Sequence, residues 1–329
     1  MTETLKEKVS SQAVLIVICC SLVLLLTMGM RQSFGLWQTP ISQAFGVGFT
    51  VFSLSLAIQN LFWGLFQPLV GGLADKFGSG RVIAVAGALQ ALGLIWLAYA
   101  DQIWELHASA GIIIGISGAG TTWAVLMSVV ARNVPENRRT QFFGMVSAIG
   151  TGGQIIIAPF NQYTINTFGW QEALIILAVM LSLTVPLAYF LRGKTSSDVK
   201  QHAETLSEAL NRARKHTGYV LLSAGFFVCG FHVMFVMSHL PSYLQSQSMP
   251  DWLPGAAISV IGIANLVGTF VAGYLGDKFS KKYLLSSIYF MRSIVFIIFL
   301  IVPITTTSTL IFAAAIGLLW LATVPLTYA

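Results

Sequence analysis

Long apolar stretches, separated by short polar gaps, run along almost the whole chain. A helix that crosses a bilayer needs about 20 consecutive, mostly apolar residues. Ten stretches of about that length can be placed, at residues 13–37, 50–73, 82–100, 103–131, 140–163, 170–191, 218–244, 253–276, 283–303 and 307–329. The pattern therefore predicts an all-α, polytopic membrane helix bundle.

The composition supports a membrane protein and excludes several other classes. Hydrophobic residues make up 56% of the chain and charged residues only 9%, against about 25% charged residues in a soluble domain. The three cysteines all lie in apolar stretches, so we expect neither a disulfide nor a metal site nor another cofactor. The net charge of +6 comes from bases scattered over several gaps, a distribution that does not suit nucleic acid as a partner.

The basic residues predict the topology. Of the 18 Lys and Arg residues, all but Arg31 and Arg292 lie in the N-terminal tail or in the gaps after the second, fourth, sixth and eighth stretches. Because bases favour the cytoplasmic side, we expect these gaps and the N-terminus there, in the cell membrane. We predict a six-helix half over residues 1–191, a cytoplasmic linker over 192–217 and a four-helix half over 218–329.

A short segment is repeated after the second and the eighth stretch. GGLADKFG at residues 71–78 recurs as GYLGDKFS at residues 273–280, an offset of 202. Glycines allow helix ends to approach closely, and an Asp can accept from N–H groups at a neighbouring helix start. We therefore predict two cytoplasmic gating loops, whose central residues are Gly71, Asp75, Lys76, Arg81, Gly273, Asp277 and Lys278.

This repeated Gly-x-Leu-x-Asp-Lys-Phe pattern resembles the loop signature of the major facilitator superfamily. Other segments resemble its branch of monocarboxylate transporters and oxalate:formate antiporters, namely GMRQSFG at 29–35, PENRR at 135–139, FGW at 168–170 and YFMRS at 289–293. The resemblance implies two parallel halves, a substrate site near the membrane midplane and alternating access. It also implies twelve helices, so we expect the chain to end about two helices early.

Two arginines within predicted spans are the strongest functional candidates. Arg31 and Arg292 lie inside apolar stretches, where a charged side chain is costly unless it faces water, a partner or an anion. Both can bind the carboxylate of a substrate through their planar forks. In the alternative, Arg31 reaches the headgroups at the end of a short helix, and Arg292 binds backbone carbonyls of a neighbouring helix.

No Asp or Glu lies deep inside a predicted span, so an anionic substrate is the expected counter-ion of the arginines. His232 is a further candidate, as a substrate or proton ligand, although a lone histidine on an apolar helix is more often a structural hydrogen-bonding group.

Together these features predict a secondary active transporter of a small organic anion, such as a monocarboxylate, coupled to proton symport or anion exchange. A neutral or drug-like solute remains an alternative, as does a receptor that binds without turnover. The spans contain no paired catalytic groups and no phosphate-binding loop, so an enzyme or an ATP-driven pump is not expected. We expect a monomer.

Overall fold

The computed structural model describes residues 10–191 and 215–323, apart from the side chains at positions 137, 140, 273 and 277. Within this range, every predicted stretch forms a helix and no strand occurs. In chain order the helices are α1 (Ser11–Ala44), α2 (Phe49–Phe77), α3 (Ser79–Ala98), α4 (Ile103–Asn133), α5 (Arg139–Phe168), α6 (Trp170–Phe190), α7 (Thr217–Ser246), α8 (Leu253–Lys278), α9 (Lys281–Ile301) and α10 (Thr306–Leu318). Among the described residues, α1 to α9 are long and apolar enough to cross a bilayer. The predicted all-α bundle is confirmed.

The first helix is longer than predicted. After one 3-10 turn at Phe34–Trp37 it continues past the predicted end as an α-helical segment, Gln38–Ala44. The apolar pattern ended earlier because the extension contains polar residues, of which Gln38 and Ser42 are buried in the fold. Gln38 is fully buried because its amide donates to the Ser53 hydroxyl at 2.9 Å and its carbonyl accepts from the Ser242 hydroxyl at 2.7 Å.

The repeated segment is mostly helical rather than a loop. Helices α2 and α8 extend to Phe77 and Lys278, beyond the predicted ends at residues 73 and 276. Charged residues disfavour only the part of a helix that lies in the hydrocarbon layer. Outside that layer they are solvated, so the helix can continue through them. In the first copy only Gly78 breaks the chain direction, with a φ of 91° that other residues rarely adopt.

Three helices are interrupted within the bundle. Helix α4 is π-helical over His107–Ile113 and loses its helical form at residues 120–122. Helix α6 is interrupted at Leu183. Helix α10 ends at Leu318, and residues 319–322 are not helical. Irregular backbone at membrane depth is tolerated only where protein groups or water satisfy its polar atoms, so these interruptions mark places where side chains must supply hydrogen bonds.

Small residues allow the helices to pack closely. Helix α1 lies along α5, where a Cβ added to Gly153 would overlap the backbone of Leu25. Helices α3 and α6 meet where a Cβ on Gly87 would overlap the Thr184 hydroxyl. Lipid supplies no hydrophobic force between helices, so such close van der Waals contact provides much of their association.

The two ends of the bundle differ in charge. The described bases outside the spans lie at helix ends that share one end of the bundle, called here the base-rich end: Lys76, Arg81, Arg132, Arg138, Arg139, Lys215, Lys278, Lys281 and Lys282. The opposite end is called the base-poor end. Most of the predicted linker, residues 192–214, lies outside the described residues, and the division into halves stays a prediction.

The two predicted halves pack against each other toward the base-poor end. Helix α1 contacts α7 there, through the Gln38–Ser242 hydrogen bond, and α5 contacts α8, where the Ser259 hydroxyl donates to the Ile155 carbonyl at 3.0 Å. Several glycines in the middle or toward the base-rich end of α2, α5 and α7 face open space instead: Gly64, Gly71, Gly144, Gly152 and Gly230. The described hydrogen bonds between nitrogen or oxygen atoms of the two predicted halves are those of Gln38 with Ser242 and of Ser259 with Ile155.

Candidate substrate site

Arg31 lies inside the bundle, between three helices. It is 13 residues from the end of α1 at Ala44, which corresponds to about 20 Å along a helix. Its Nη2 donates to Asn60 Oδ1 of α2 at 2.5 Å, and its guanidinium lies 3.8 Å from the centre of the Trp63 ring. The same Nη2 is 3.9 Å from the Met234 sulfur of α7. The headgroup alternative does not fit, because the guanidinium turns toward α2 and α7.

The charge of Arg31 has no counter-ion among the described side chains. Among the described side chains the ion pair is that of Arg139 with Glu136, which lies at the base-rich end and not near Arg31. Asn60 is neutral, and its amide is held by a 2.8 Å hydrogen bond to the Leu56 carbonyl, which orients its oxygen toward Arg31. A cation–π contact contributes about 0.5–2 kcal/mol, which offsets only part of the cost of a charge at membrane depth.

A small polar cavity adjoins Arg31. Its volume is about 20 Å³, which is enough for a single water molecule and too small for a carboxylate. It is lined by Thr27, Met28, Met30, Arg31, Gln59, Trp63, Gln90, Ile114, Gly118 and Thr121. We call these residues the Arg31 cavity; apart from Arg31 they are uncharged.

The amides of the Arg31 cavity were not predicted. Gln59 donates to the Ala110 carbonyl at 2.9 Å, within the π-helical stretch of α4. Gln90 is 3% exposed, and its Oε1 is buried without a hydrogen-bond partner. Their position within apolar spans could have marked these amides as candidate site residues. The sequence pattern does not reveal, however, which polar residues share a cavity. The cavity therefore offers a ligand the N–H donors of Arg31 and one free acceptor on Gln90.

Arg292 has a different environment. It is 1% exposed, and its Nε donates to the Leu319 carbonyl at 2.9 Å. Its Nη2 donates to the carbonyls of Leu319 and Trp320, and its Nη1 lies 3.3 Å from the Cys229 sulfur. These carbonyls belong to the non-helical residues that follow α10, so Arg292 supplies donors that the helix itself lacks. This geometry matches the predicted alternative of carbonyl binding and does not bring Arg292 to Arg31.

His232 also lies away from the Arg31 cavity. Its ring packs against Phe231, with centroids 6.3 Å apart, and against Phe296 of α9, at 5.5 Å. Its Nδ1 is buried and has no hydrogen-bond partner. Within the described contacts, His232 is on the α9 side of α7, whereas Met234 is on the side that meets Arg31.

In both copies of the repeated segment the lysine lies over an aromatic ring, but the ring stands at a different position in each copy. Lys76 lies over the Phe77 ring at 5.2 Å, and Lys278 over the Tyr274 ring at 4.3 Å. Asp75 is exposed and makes no hydrogen bond or ion pair among the described residues. A Cβ on Gly71 would meet nothing within 4 Å, so the expected close approach is not made in this conformation. The surroundings of Gly273 and the side chain of Asp277 lie outside what is described, and Arg81 stands in the first turn of α3.

The repeat offset of 202 relates the Arg31 cavity to the surroundings of Arg292. Helix α3 begins at Ser79 and α9 at Lys281, which differ by this offset. The same offset pairs four cavity residues with four residues around the end of α10: Thr27 with Cys229, Gln90 with Arg292, Gly118 with Trp320 and Thr121 with Thr323. Two regions in equivalent places thus carry different side chains.

Comparison with known proteins supports the fold. Residues 18–329 match the profile of the Major Facilitator Superfamily. The chain also resembles a solved bacterial homologue of the human lysosomal transporter Spinster, in an inward-facing and unoccupied conformation. The TM-score is 0.77 and the identity 15%, over 97% of this chain and 75% of that one. At this identity the likeness shows the fold alone.

Two curated relatives are similar in sequence. The chain is 28% identical over 257 residues to the Uncharacterized MFS-type transporter YhjX of Escherichia coli, covering 74% of this chain and 59% of the relative. It is 26% identical over 239 residues to Monocarboxylate transporter 11 of Mus musculus, covering 69% and 50%. The chain therefore spans between half and three fifths of the length of these relatives.

Proposed function

The chain belongs to the Major Facilitator Superfamily, and on that premise we propose that it moves a small organic anion across the membrane by alternating access, coupled to proton symport or anion exchange. The family and the matched proteins are transporters, which agrees with the prediction that the chain is not an enzyme. The observation that carries the substrate class is Arg31, a cation at membrane depth without a described carboxylate partner.

An anion would complete the environment of Arg31. Asn60 and Trp63 hold the guanidinium through one neutral hydrogen bond and one ring contact. A carboxylate can accept two parallel N–H donors from such a fork, and charge-assisted bonds of this kind are roughly twice as strong as neutral ones. The gain is larger at membrane depth, where water competes little. Among organic anions, a small monocarboxylate meets this requirement with a single group.

Gln90 adds a second requirement to the ligand. Its buried Oε1 can only accept, and a buried acceptor without a donor costs about 1–3 kcal/mol. A carboxylate alone has no hydrogen to donate, whereas an anion that also carries a hydroxyl group can satisfy Arg31 and Gln90 together. We therefore include a hydroxyl-bearing carboxylate as the preferred form of the substrate.

Substrate binding requires another conformation. The Arg31 cavity, of about 20 Å³, has no room for a carboxylate. Arg31 contacts Met234 of α7 and lines a cavity built by α1 to α4. Movement of α7 away from α1 would uncover the guanidinium, which links access to the site with the relative position of the two halves.

A neutral solute is the second candidate, and one observation favours it. Four amide or hydroxyl side chains line the cavity beside a single charge, namely Thr27, Gln59, Gln90 and Thr121. Such groups can bind a neutral polar molecule without a carboxylate. A receptor that binds without turnover would use the same contacts and differ only in not accumulating its ligand.

Uptake of matched ligand pairs into liposomes distinguishes these functions. Each pair consists of a labelled small carboxylic acid and its primary amide, which differ mainly in charge, and the reconstituted protein is the full chain. We expect saturable uptake of the acid, inhibited by unlabelled acid and not by the amide, and accelerated by an inward proton gradient or by internal anion. Equal transport of acid and amide would contradict an anion site. Saturable binding without accumulation would indicate a receptor.

The topology and oligomeric state are part of the same proposal. We propose that the N-terminus and the base-rich end face the cytoplasm and that the base-poor end faces the outside of the cell. The distribution of bases along the chain supports this orientation. The protein acts as a monomer, with its substrate path between its own two halves.

A further inference from the structure

A groove lies between α3 and α6 on the base-rich side of their close contact. The two helices touch at Gly87 and Thr184, and the Thr184 hydroxyl is turned back to the Leu181 carbonyl at 2.7 Å. From there toward the base-rich end, the groove has a volume of about 680 Å³. It is lined by Gly80, Arg81, Ala84, Val85, Val185, Pro186, Ala188, Tyr189 and Phe190, and we call it the α3–α6 groove.

The α3–α6 groove is apolar along its length and basic at one end. Val85, Tyr189 and Phe190 are between 49% and 60% exposed, and in a membrane protein such side chains face lipid. Arg81 is its single charged residue and stands in the first turn of α3. No side chain caps the start of this helix, and free N–H groups at a helix start favour anions.

The guanidinium of Arg81 is exposed and unused by the described protein groups. It makes no hydrogen bond or ion pair with any residue in the described ranges. Arg132, at the same end, shows the contrast, because it donates to the hydroxyls of Ser79 and Ser128 at 2.6 and 2.9 Å. Arg81 is therefore available to a ligand, whereas Arg132 ties α4 to α3.

A second apolar groove lies on the other side of α3. Its volume is about 320 Å³, and it is formed by residues of α2, α3 and α4. It shares Arg81 and Val85 with the α3–α6 groove. One base thus stands above apolar grooves on both sides of a helix, which matches the chemistry of a phospholipid, with one acidic phosphate above apolar acyl chains.

We propose that Arg81 and the α3–α6 groove bind an anionic phospholipid of the leaflet at the base-rich end, with its phosphate on Arg81 and an acyl chain in the groove. The site is separate from the Arg31 cavity and does not depend on the identity of the substrate. The groove volume lies within the range of about 300–1,000 Å³ that is usual for small-molecule sites. Anionic lipid is attracted to bases near the membrane surface, by about five-fold in affinity for each base.

Lipid titration of the purified full chain in neutral detergent tests the site. The melting temperature is followed while phosphatidylglycerol, phosphatidylcholine with the same acyl chains, or inorganic phosphate is added. For the native chain we expect stabilisation by phosphatidylglycerol at lower concentration than by phosphatidylcholine, and none by phosphate. Stabilisation by inorganic phosphate equal to that by phosphatidylglycerol would overturn the proposal, since it would show a free-anion site.

Two substitutions and one control locate the binding. Arg81→Gln should raise the phosphatidylglycerol concentration needed by about five-fold, and Ala84→Phe should weaken both lipids by filling the groove. Lys282→Gln removes a base of the second half at the same end and should change nothing. Equal weakening by Arg81→Gln and Lys282→Gln, or no weakening by Arg81→Gln, would overturn the proposal. If Ala84→Phe does not fold, native mass spectrometry of lipid retained by Arg81→Gln decides between the same outcomes.

Discussion

Gln90 on α3 and Arg292 on α9 occupy positions 202 residues apart, in equivalent parts of the two halves, yet the two regions are used differently. Around Arg292 the guanidinium fills the space and donates to the carbonyls of Leu319 and Trp320. Around Gln90 the shorter amide leaves a cavity, and its Oε1 has no partner. The same helical framework thus holds an arginine that donates to backbone carbonyls in one half and an amide with an unpaired oxygen in the other.

The source of the positive charge also differs between the two regions. In the first half the arginine comes from α1, where it lies beside Asn60 and Trp63 and reaches the contact between the halves. In the second half it comes from α9, where Nε and Nη2 donate to backbone carbonyls and Nη1 lies against the Cys229 sulfur. A guanidinium whose donors are already satisfied has little to offer a ligand, so we propose that Arg31 binds the substrate and Arg292 stabilises the fold.

The largest expected effect tests the first region. Arg31→Gln should weaken binding of an anionic substrate by about ten- to hundred-fold, because it removes a charge-assisted hydrogen bond. Arg31→Lys keeps the charge but loses the planar fork, so it should weaken binding less. Equilibrium binding curves for the full chain measure both. Native affinity for an anion in Arg31→Gln would refute the assignment.

The next effect tests the second region by stability rather than by affinity. Arg292→Gln leaves carbonyls of Leu319 and Trp320 short of donors, which should cost about 1–3 kcal/mol in the free energy of unfolding. Thermal unfolding in detergent should show a lower melting temperature, with substrate affinity unchanged in the protein that remains folded. A variant with native stability and lost affinity would reverse the roles of the two arginines.

A smaller effect is expected for the repeated segment. Asp75 is exposed and unpaired among the described residues, so we expect it to form its charge-assisted hydrogen bond only in another conformation. Asp75→Asn should therefore slow transport by about ten-fold without changing thermal stability or the amount of protein in the membrane. Initial uptake rates in vesicles with matched protein content provide the measurement. Unchanged rates would exclude a gating role for this copy.

The smallest effect concerns Gln90. Gln90→Met removes the unpaired acceptor at similar size, so stability should stay equal or rise. Affinity for a hydroxyl-bearing carboxylate should fall by about two- to ten-fold, whereas affinity for the same acid without the hydroxyl should not change. Competition binding with the two acids checks this difference. Equal losses for both acids would show that Gln90 positions Arg31 and does not contact the ligand.

Sequence reasoning was most successful where one residue property decides the outcome. The ten predicted stretches follow from the number of apolar residues that a bilayer requires, and each contains a helix, nine of them long enough to cross a bilayer among the described residues. The predicted helix ends were less accurate, because the residues there change from apolar to polar. The first span was predicted to end at residue 37, before the polar Gln38, but a hydrogen bond to Ser242 of α7 allows Gln38 to be buried.

Within the candidate site, the sequence identified the cations but not their partners. Arg31 and Arg292 were found because charges are rare in apolar spans. The sequence did not identify the partners Asn60, Gln59 and Gln90. A neutral amide in a membrane helix can face other side chains, a neighbouring backbone or a cavity, and the sequence does not distinguish these environments. The role of His232 as a ligand stays a prediction; its ring packs against Phe296 of α9, on a side that spacing along α7 could not reveal.

The sequence by itself determined that this chain is a bundle of membrane helices with two arginines at depth, because the cost of polar groups in lipid acts on each residue separately. Only the tertiary structure decided which arginine has its donors satisfied by backbone carbonyls. That distinction depends on what lies opposite each side chain, a helix end whose carbonyls lack donors for Arg292 and a neutral amide and ring for Arg31. Such partners are brought together by the packing of helices that are distant in the chain.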